Sequence, residues 1–151
     1  MNTRKILYAA DFSRTGAAAL EHAADLATKY DATLLVTHVA EPPVVYAEGM
    51  YYFGVPAPDR EALTTMLRNI RPADTRVKCE YHLLEGDPAT ALTDFARDKK
   101  VDFIVLSSHG RTGLSRLVMG SVAELVMRHA PCPVLVVKPT APAAKPELVK
   151  G

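Results

Sequence analysis

Two rhythms of apolar and polar positions alternate along the chain. "RKILYAADF" (Arg4–Phe12) is an apolar run without a polar face, closed by an aspartate and a serine. Such runs predict strands buried on both sides. "SRTGAAALEHAADLATKY" (Ser13–Tyr30) changes the period: Ala17, Leu20, Ala24 and Ala27 recur at helical spacing, as do Ala23 and Leu26, with Ser13 as the candidate cap. "DATLLVTHVAEPP" (Asp31–Pro43) predicts a second strand, stopped by Pro42-Pro43. "VVYAEGMYYFGVPAP" (Val44–Pro58) keeps no period and predicts a loop or lid. "DREALTTMLRNI" (Asp59–Ile70) predicts a helix capped by Asp59, and "RVKCEYHLLEG" (Arg76–Gly86) a strand with one face more exposed. "DPATALTDFARDKK" (Asp87–Lys100) carries its own start signal, with Asp87 at the cap, Pro88 in the first helical position and basic residues in the last turn. "VDFIVLSS" (Val101–Ser108), "SVAELVMRHA" (Ser121–Ala130) and "CPVLVVKP" (Cys132–Pro139) complete the series as strand, helix and strand. Residues 140–151 are expected to be a disordered tail.

Apolar strands alternating with helices imply an α/β fold, a five-stranded parallel sheet covered by helices on both faces, within one domain spanning residues 1–139. Right-handed crossovers place the C-terminal ends of the strands along one edge. Ligands in such sheets bind at that edge, where strand order reverses. The loops there begin at Asp11, Val39 and Ser107.

Composition narrows the classes. A chain of 151 residues suits one core, and no apolar run reaches the roughly 18–20 residues of a membrane span. The start runs directly into a strand without the three regions of a signal peptide, so a cytoplasmic location is expected. A net charge of +1 provides no general basic field for nucleic acid. Cys79 and Cys132 form no CxxC and read as free thiols, although sequence alone leaves a disulfide open. His22, His82 and His129 have no ligand spacing with either cysteine, which argues against zinc. His38 closes an apolar strand, where a histidine more often bonds a neighbouring backbone group than catalyses a reaction.

"SSHGRTGLSRLVMGSVAE" (Ser107–Glu124) is where chemistry concentrates. Glycines let a ligand approach without a Cβ, and successive amides in such a turn can form an anion nest. Ser121 and Val122 open a helix whose unpaired amides and dipole attract a phosphate. Charge-assisted hydrogen bonds contribute about 1.5–3 kcal/mol each. Four or five of them with a packed base reach micromolar affinity, about −8 kcal/mol. A ligand-free strand–loop–helix connection fits the glycine spacing equally well. No GK[ST] follows, so this is not a Walker A loop, and the GxGxxG spacing of a dinucleotide site is absent. Asp11, at the end of the first strand, reads either as a cap or as a carboxylate for a ribose hydroxyl or a metal. His109, Arg111 and Arg116 read either as phosphate neighbours or as solvated loop residues. Tyr46, Tyr51, Tyr52 and Phe53 read either as a ligand cover or as packing over the sheet edge. "VLVV" (Val134–Val137) is a β-branched edge strand, a liability unless another chain covers it.

Three segments together carry a resemblance: "ILYAADFS" near the start, "HGRTGLSRLVMGSVAELVMRHAPCPVLVVKP" near the end, and the five-strand alternation between them. From Lys5 to Lys138 the chain resembles the universal stress protein (UspA-like) family. The resemblance implies strand order 3-2-1-4-5 in an adenine nucleotide alpha hydrolase-like fold, binding of ATP or AMP, and a homodimer paired through the last strand. The family's ATP-binding pattern G-x2-G-x9-G-[ST] places its second glycine on Gly110, its third on Gly120 and its hydroxyl on Ser121. The first glycine position falls on Ser107, a departure. By the same matching Asp11 contacts ribose or a magnesium ion, Ala9, Ala10 and Val39 line the base pocket, and Val122 offers its amide to phosphate. Three functions follow: a nucleotide-binding stress-response module, a slow ATPase whose base is Asp11 or His109, and a nucleotide-free interaction protein.

Overall fold

The computed structural model describes residues 4–13, 16–41, 59–108 and 119–138. In chain order they form β1 (Lys5–Ala9), α1 (Gly16–Lys29), β2 (Thr33–Ala40), α2 (Arg60–Arg68), β3 (Cys79–Glu85), α3 (Pro88–Asp98), β4 (Phe103–Ser107), α4 (Ser121–His129) and β5 (Val134–Val137). The five strands make one parallel sheet, as their apolar runs implied, in the order β3-β2-β1-β4-β5 that the family resemblance implied. The expected lid (residues 44–58) and tail (residues 140–151) lie outside the described residues.

Successive strand residues point to opposite faces, and here both faces are covered. Ile6, Tyr8, Leu34, Val36 and Val105 pack under α1 and α2 with Ala19, Ala23 and Leu67. Leu7, Leu35, Val39, Ile104 and Leu106 pack under α3 and α4 with Leu92, Ala96, Ala123 and Val126. The inner strands are therefore apolar along most of their length and read as long apolar runs, while the buried Thr37 and His38 of β2 bond the carbonyls of Tyr8 and Ala10. β3, at one edge, holds no fully buried residue and matches its more exposed pattern. β5 forms the other edge.

The helix starts are local chemistry. Asp59 accepts from the Ala62 amide at 2.7 Å and Asp87 from the Thr90 amide at 3.1 Å, with Pro88 in the first position of α3. α1 is described from Gly16, whose amide donates to the Ser13 hydroxyl oxygen at 3.2 Å, the bond expected of Ser13 as a cap, while the Ser13 amide and hydroxyl donate to Asp11. Gly86 closes β3 at φ +120, a region glycine enters readily, and its N–H donates to the Ala40 carbonyl at 3.1 Å.

α1 and α3 end without glycine. Asp31 (φ 50) and Lys100 (φ 54) occupy the left-handed region. The next amides reach back five residues, Ala32 to Ala27 at 2.8 Å and Val101 to Ala96 at 2.9 Å. That bond belongs to a helix-end motif in which glycine is the usual residue. A side chain there costs roughly 1–2 kcal/mol, and glycine's extra freedom in the unfolded chain offsets part of the gain from removing it. Lys100→Gly is therefore expected to raise the unfolding free energy by about 0.5–1 kcal/mol. Urea unfolding measures it, and a lower midpoint contradicts this account of the helix end.

Candidate functional site

Strand order reverses between β1 and β4, and the residues that follow both strands meet there. β1 keeps one bond to β2 beyond its last residue, from the Ala10 amide to the Thr37 carbonyl at 2.7 Å. The Ala10 carbonyl accepts from His38 Nδ1 at 2.7 Å, so that nitrogen carries the proton. His38 thus bonds backbone, as its place in the sequence suggested. Phe12 then takes φ 61, an uncommon backbone state for a bulky residue, and its ring lies 4.3 Å from the His38 ring.

Asp11 sits half-buried at the centre. Its Oδ1 accepts from the Ser13 amide at 2.9 Å and the Ser13 hydroxyl at 2.6 Å. Its Oδ2 accepts from the Ser107 hydroxyl at 3.2 Å, a bond that joins residues 96 apart in sequence across the reversal point. The Gly16 amide donates to the Ser13 carbonyl at 3.1 Å and to its hydroxyl oxygen at 3.2 Å. The Tyr8 hydroxyl donates to the Gly16 carbonyl at 2.8 Å. Burial first, and the nearby Asp11 charge second, push the Tyr8 phenol well above its ordinary range. Gly16 is required by close approach, since a Cβ there would lie 3.0 Å from the Tyr8 hydroxyl and 3.2 Å from Asp11 Oδ1.

On the β4 side, the Ser108 amide donates to Val137 at 2.9 Å and the Ser108 carbonyl accepts from the Gly120 amide at 2.7 Å. This bond fixes the start of α4 at the end of β4. Gly120 has φ −63 and ψ 152, ordinary extended backbone, so its glycine is not there for a left-handed turn. Its amide faces Ser108 and not a nest. The amides of Ser121 and Val122, first in α4, have no acceptor among the described residues. Ser121 is exposed and Val122 half-buried.

The expected base-pocket residues divide between the two faces of the sheet. Ala9 and Val39 pack on the α3–α4 face, whereas Ala10 packs on the α1 face. His109, Gly110, Arg111 and Arg116 lie outside the described residues, as do Tyr46, Tyr51, Tyr52 and Phe53. Sequence reading passed over Tyr8, Phe12, Ser13 and Gly16 as site residues. Only the Asp-x-Ser spacing offered a signal, since a side-chain turn of that kind uses it.

Among the described residues no group of three or more His, Cys, Asp or Glu stands ready to hold a metal. Cys79 and Cys132 are free, and burial pushes both thiols up, away from a reactive thiolate. No described helix is long and apolar enough to cross a membrane.

The family model described as the universal stress protein family matches residues 2–138. Universal stress protein MJ0531 of Methanocaldococcus jannaschii is 37% identical over 139 residues, covering 89% of this chain and 82% of that protein. The solved structure of MJ0577, a universal stress protein of the same organism, superposes with a TM-score of 0.71 at 27% identity, over 91% of this chain and 97% of that one. A universal stress protein solved in complex with cAMP shares the fold, with a TM-score of 0.66 at 21% identity over 93% of this chain and all (100%) of the other.

Proposed function

The chain belongs to the universal stress protein family, and from that premise we propose that it is an adenine-nucleotide-binding module of the stress response, acting in the cytoplasm as a homodimer. The 2.7 Å bond from the Gly120 amide to the Ser108 carbonyl carries the reading. It brings the amino end of α4 to the same sheet edge as the Asp11–Ser107 pair. A phosphate then meets the Ser121 hydroxyl and the amides of Ser121 and Val122, while the sugar meets Asp11. Ala9 and Val39 supply apolar surface for the base from one face. His109, Gly110 and Arg111 follow Ser108 directly in sequence, and the proposal keeps them as candidate phosphate contacts. The fold accommodates such ligands, as the cAMP complex of a relative illustrates, but this chain's own residues support the assignment.

Asp11 suits hydrogen bonding to a sugar better than direct ligation of magnesium. Among the described residues three donors already approach its carboxylate, and Mg²⁺ requires near-octahedral oxygen ligands and sheds water reluctantly. Calorimetric titration with AMP and with ATP, each with and without Mg²⁺, tests the proposal. Micromolar binding of either nucleotide supports it, and silence toward both removes it. One observation favours the nucleotide-free alternative: Asp11 Oδ2 already has a partner within the chain, the Ser107 hydroxyl.

The homodimer is proposed through β5. Pro133 and Val137 turn their carbonyls toward β4, where they accept from Ile104 at 3.0 Å and Ser108 at 2.9 Å. Backbone direction alternates along a strand, so Val134 and Val136 present their amides outward at the sheet edge. Val136→Pro removes one outward donor without touching the β4 ladder, and proline is tolerated on such an edge. The variant is expected to remain folded and to sediment as a monomer. A dimer that persists unchanged would move the interface elsewhere.

A further inference from the structure

We infer that Ser107 sets the sugar preference of the site: its hydroxyl occupies the place of a ligand hydroxyl on Asp11, so ribose and deoxyribose nucleotides bind nearly alike. This rests on the nucleotide-binding reading above and deepens it. The two oxygens of the carboxylate have separate duties. Oδ1 accepts two bonds from Ser13, at 2.9 and 2.6 Å, both from its own turn. Oδ2 accepts from Ser107 at 3.2 Å across the crevice between β1 and β4. The crevice is where a sugar arrives, and Oδ2 is the oxygen bonded across it.

Strong selection for a hydroxyl arises when its absence leaves a polar group of the protein unpaired. Here that condition fails. When the ligand lacks the hydroxyl, Ser107 still donates to Oδ2. When the ligand carries it, the new bond displaces or divides one already made. The Ser107 contact is long for an O–H···O bond, so it yields to a better-placed donor at small net gain. A glycine at this position, as in the family's pattern, has no hydroxyl to donate. The departure at Ser107 is therefore a change of selectivity rather than the loss of a site.

Calorimetry with AMP and with 2′,3′-dideoxyAMP, on the wild type and on Ser107→Ala and Ser107→Thr, tests this. Alanine keeps the Cβ and removes only the hydroxyl, whereas threonine keeps the hydroxyl. In the wild type the two dissociation constants are expected to agree within about threefold. Ser107→Ala is expected to shift the ratio roughly tenfold in favour of AMP, because AMP replaces the lost donor to Oδ2 and dideoxyAMP does not, the change that one hydrogen bond to a charged acceptor produces. Ser107→Thr is expected to keep the wild-type ratio. A ratio in Ser107→Ala that moves toward dideoxyAMP, a ratio common to all three proteins, or strong ribose preference in the wild type overturns the inference while nucleotide binding stands. If none of the proteins binds either nucleotide, the underlying functional reading falls and takes this inference with it.

Discussion

Gly120→Val is expected to weaken AMP binding at least about a hundredfold while leaving the fold in place. The backbone at Gly120, φ −63 and ψ 152, is open to valine. Both of its hydrogen bonds are backbone bonds that valine retains: its amide donates to Ser108 at 2.7 Å and its carbonyl accepts from Glu124 at 3.1 Å. The structural cost is that of a poorer helix cap, about 0.5–1 kcal/mol, or a few degrees of melting temperature for a chain of this size. The ligand loses far more. A branched Cβ beside the first turn of α4 stands between a phosphate and the amides of Ser121 and Val122. Losing two charge-assisted bonds of about 1.5 kcal/mol or more each amounts to a hundredfold or greater loss. Calorimetry beside a thermal melt separates the two effects. Unchanged affinity in a normally melting variant removes the α4 terminus from the site.

How far the sequence revealed this architecture depended on how local each cause was. The inner strands were legible because burial on both faces leaves an apolar run such as Ile6–Tyr8 or Leu34–Val36 with no alternation. Asp59 and Asp87 were legible because a cap bonds an amide three residues away. Ser13 was legible as a cap for the same reason. The turn before it was not, since its geometry depends on Asp11 holding Ser13, on Phe12 at φ 61 and on a serine 96 residues further along. No window of sequence contains those partners together. Of the two reasons the sequence offers for a glycine at Gly120, a left-handed turn and close approach of a ligand, the extended backbone removes the first. Ala10 was grouped with Ala9 and Val39 by the family resemblance, and alternation sends its side chain to the opposite face from theirs. Gly16 carried no motif at all. Its need for a bare Cα comes from a tyrosine on the preceding strand.

Gly16→Val is expected to cost about 1–3 kcal/mol of stability, the usual range for overpacking, and to weaken AMP binding through the same contacts. The added Cβ would lie 3.0 Å from the Tyr8 hydroxyl, 3.2 Å from Asp11 Oδ1 and 3.7 Å from Ser13 Oγ. The tyrosine is poorly able to retreat: it is 3% exposed, and its hydroxyl is bonded at 2.8 Å to the carbonyl of Gly16 itself. The Asp11 turn is half-buried and yields first, which moves the carboxylate that faces the sugar. Gly16→Ala, lacking the branch, is expected to show the same effects at smaller size. Titration of Tyr8 supplies an independent readout. Burial and the Asp11 charge hold its phenol above the unfolded value, so it favours the native state below the ordinary tyrosine range of about 10 and that contribution is lost as alkali rises through the folded value. Moving Asp11 away and admitting water should bring tyrosinate absorbance in at lower pH in the valine variant and flatten its alkaline loss of stability. Wild-type stability together with an unmoved tyrosinate transition would show that the crowding at Gly16 is relieved without disturbing Asp11, and the link from helix start to sugar site would fail.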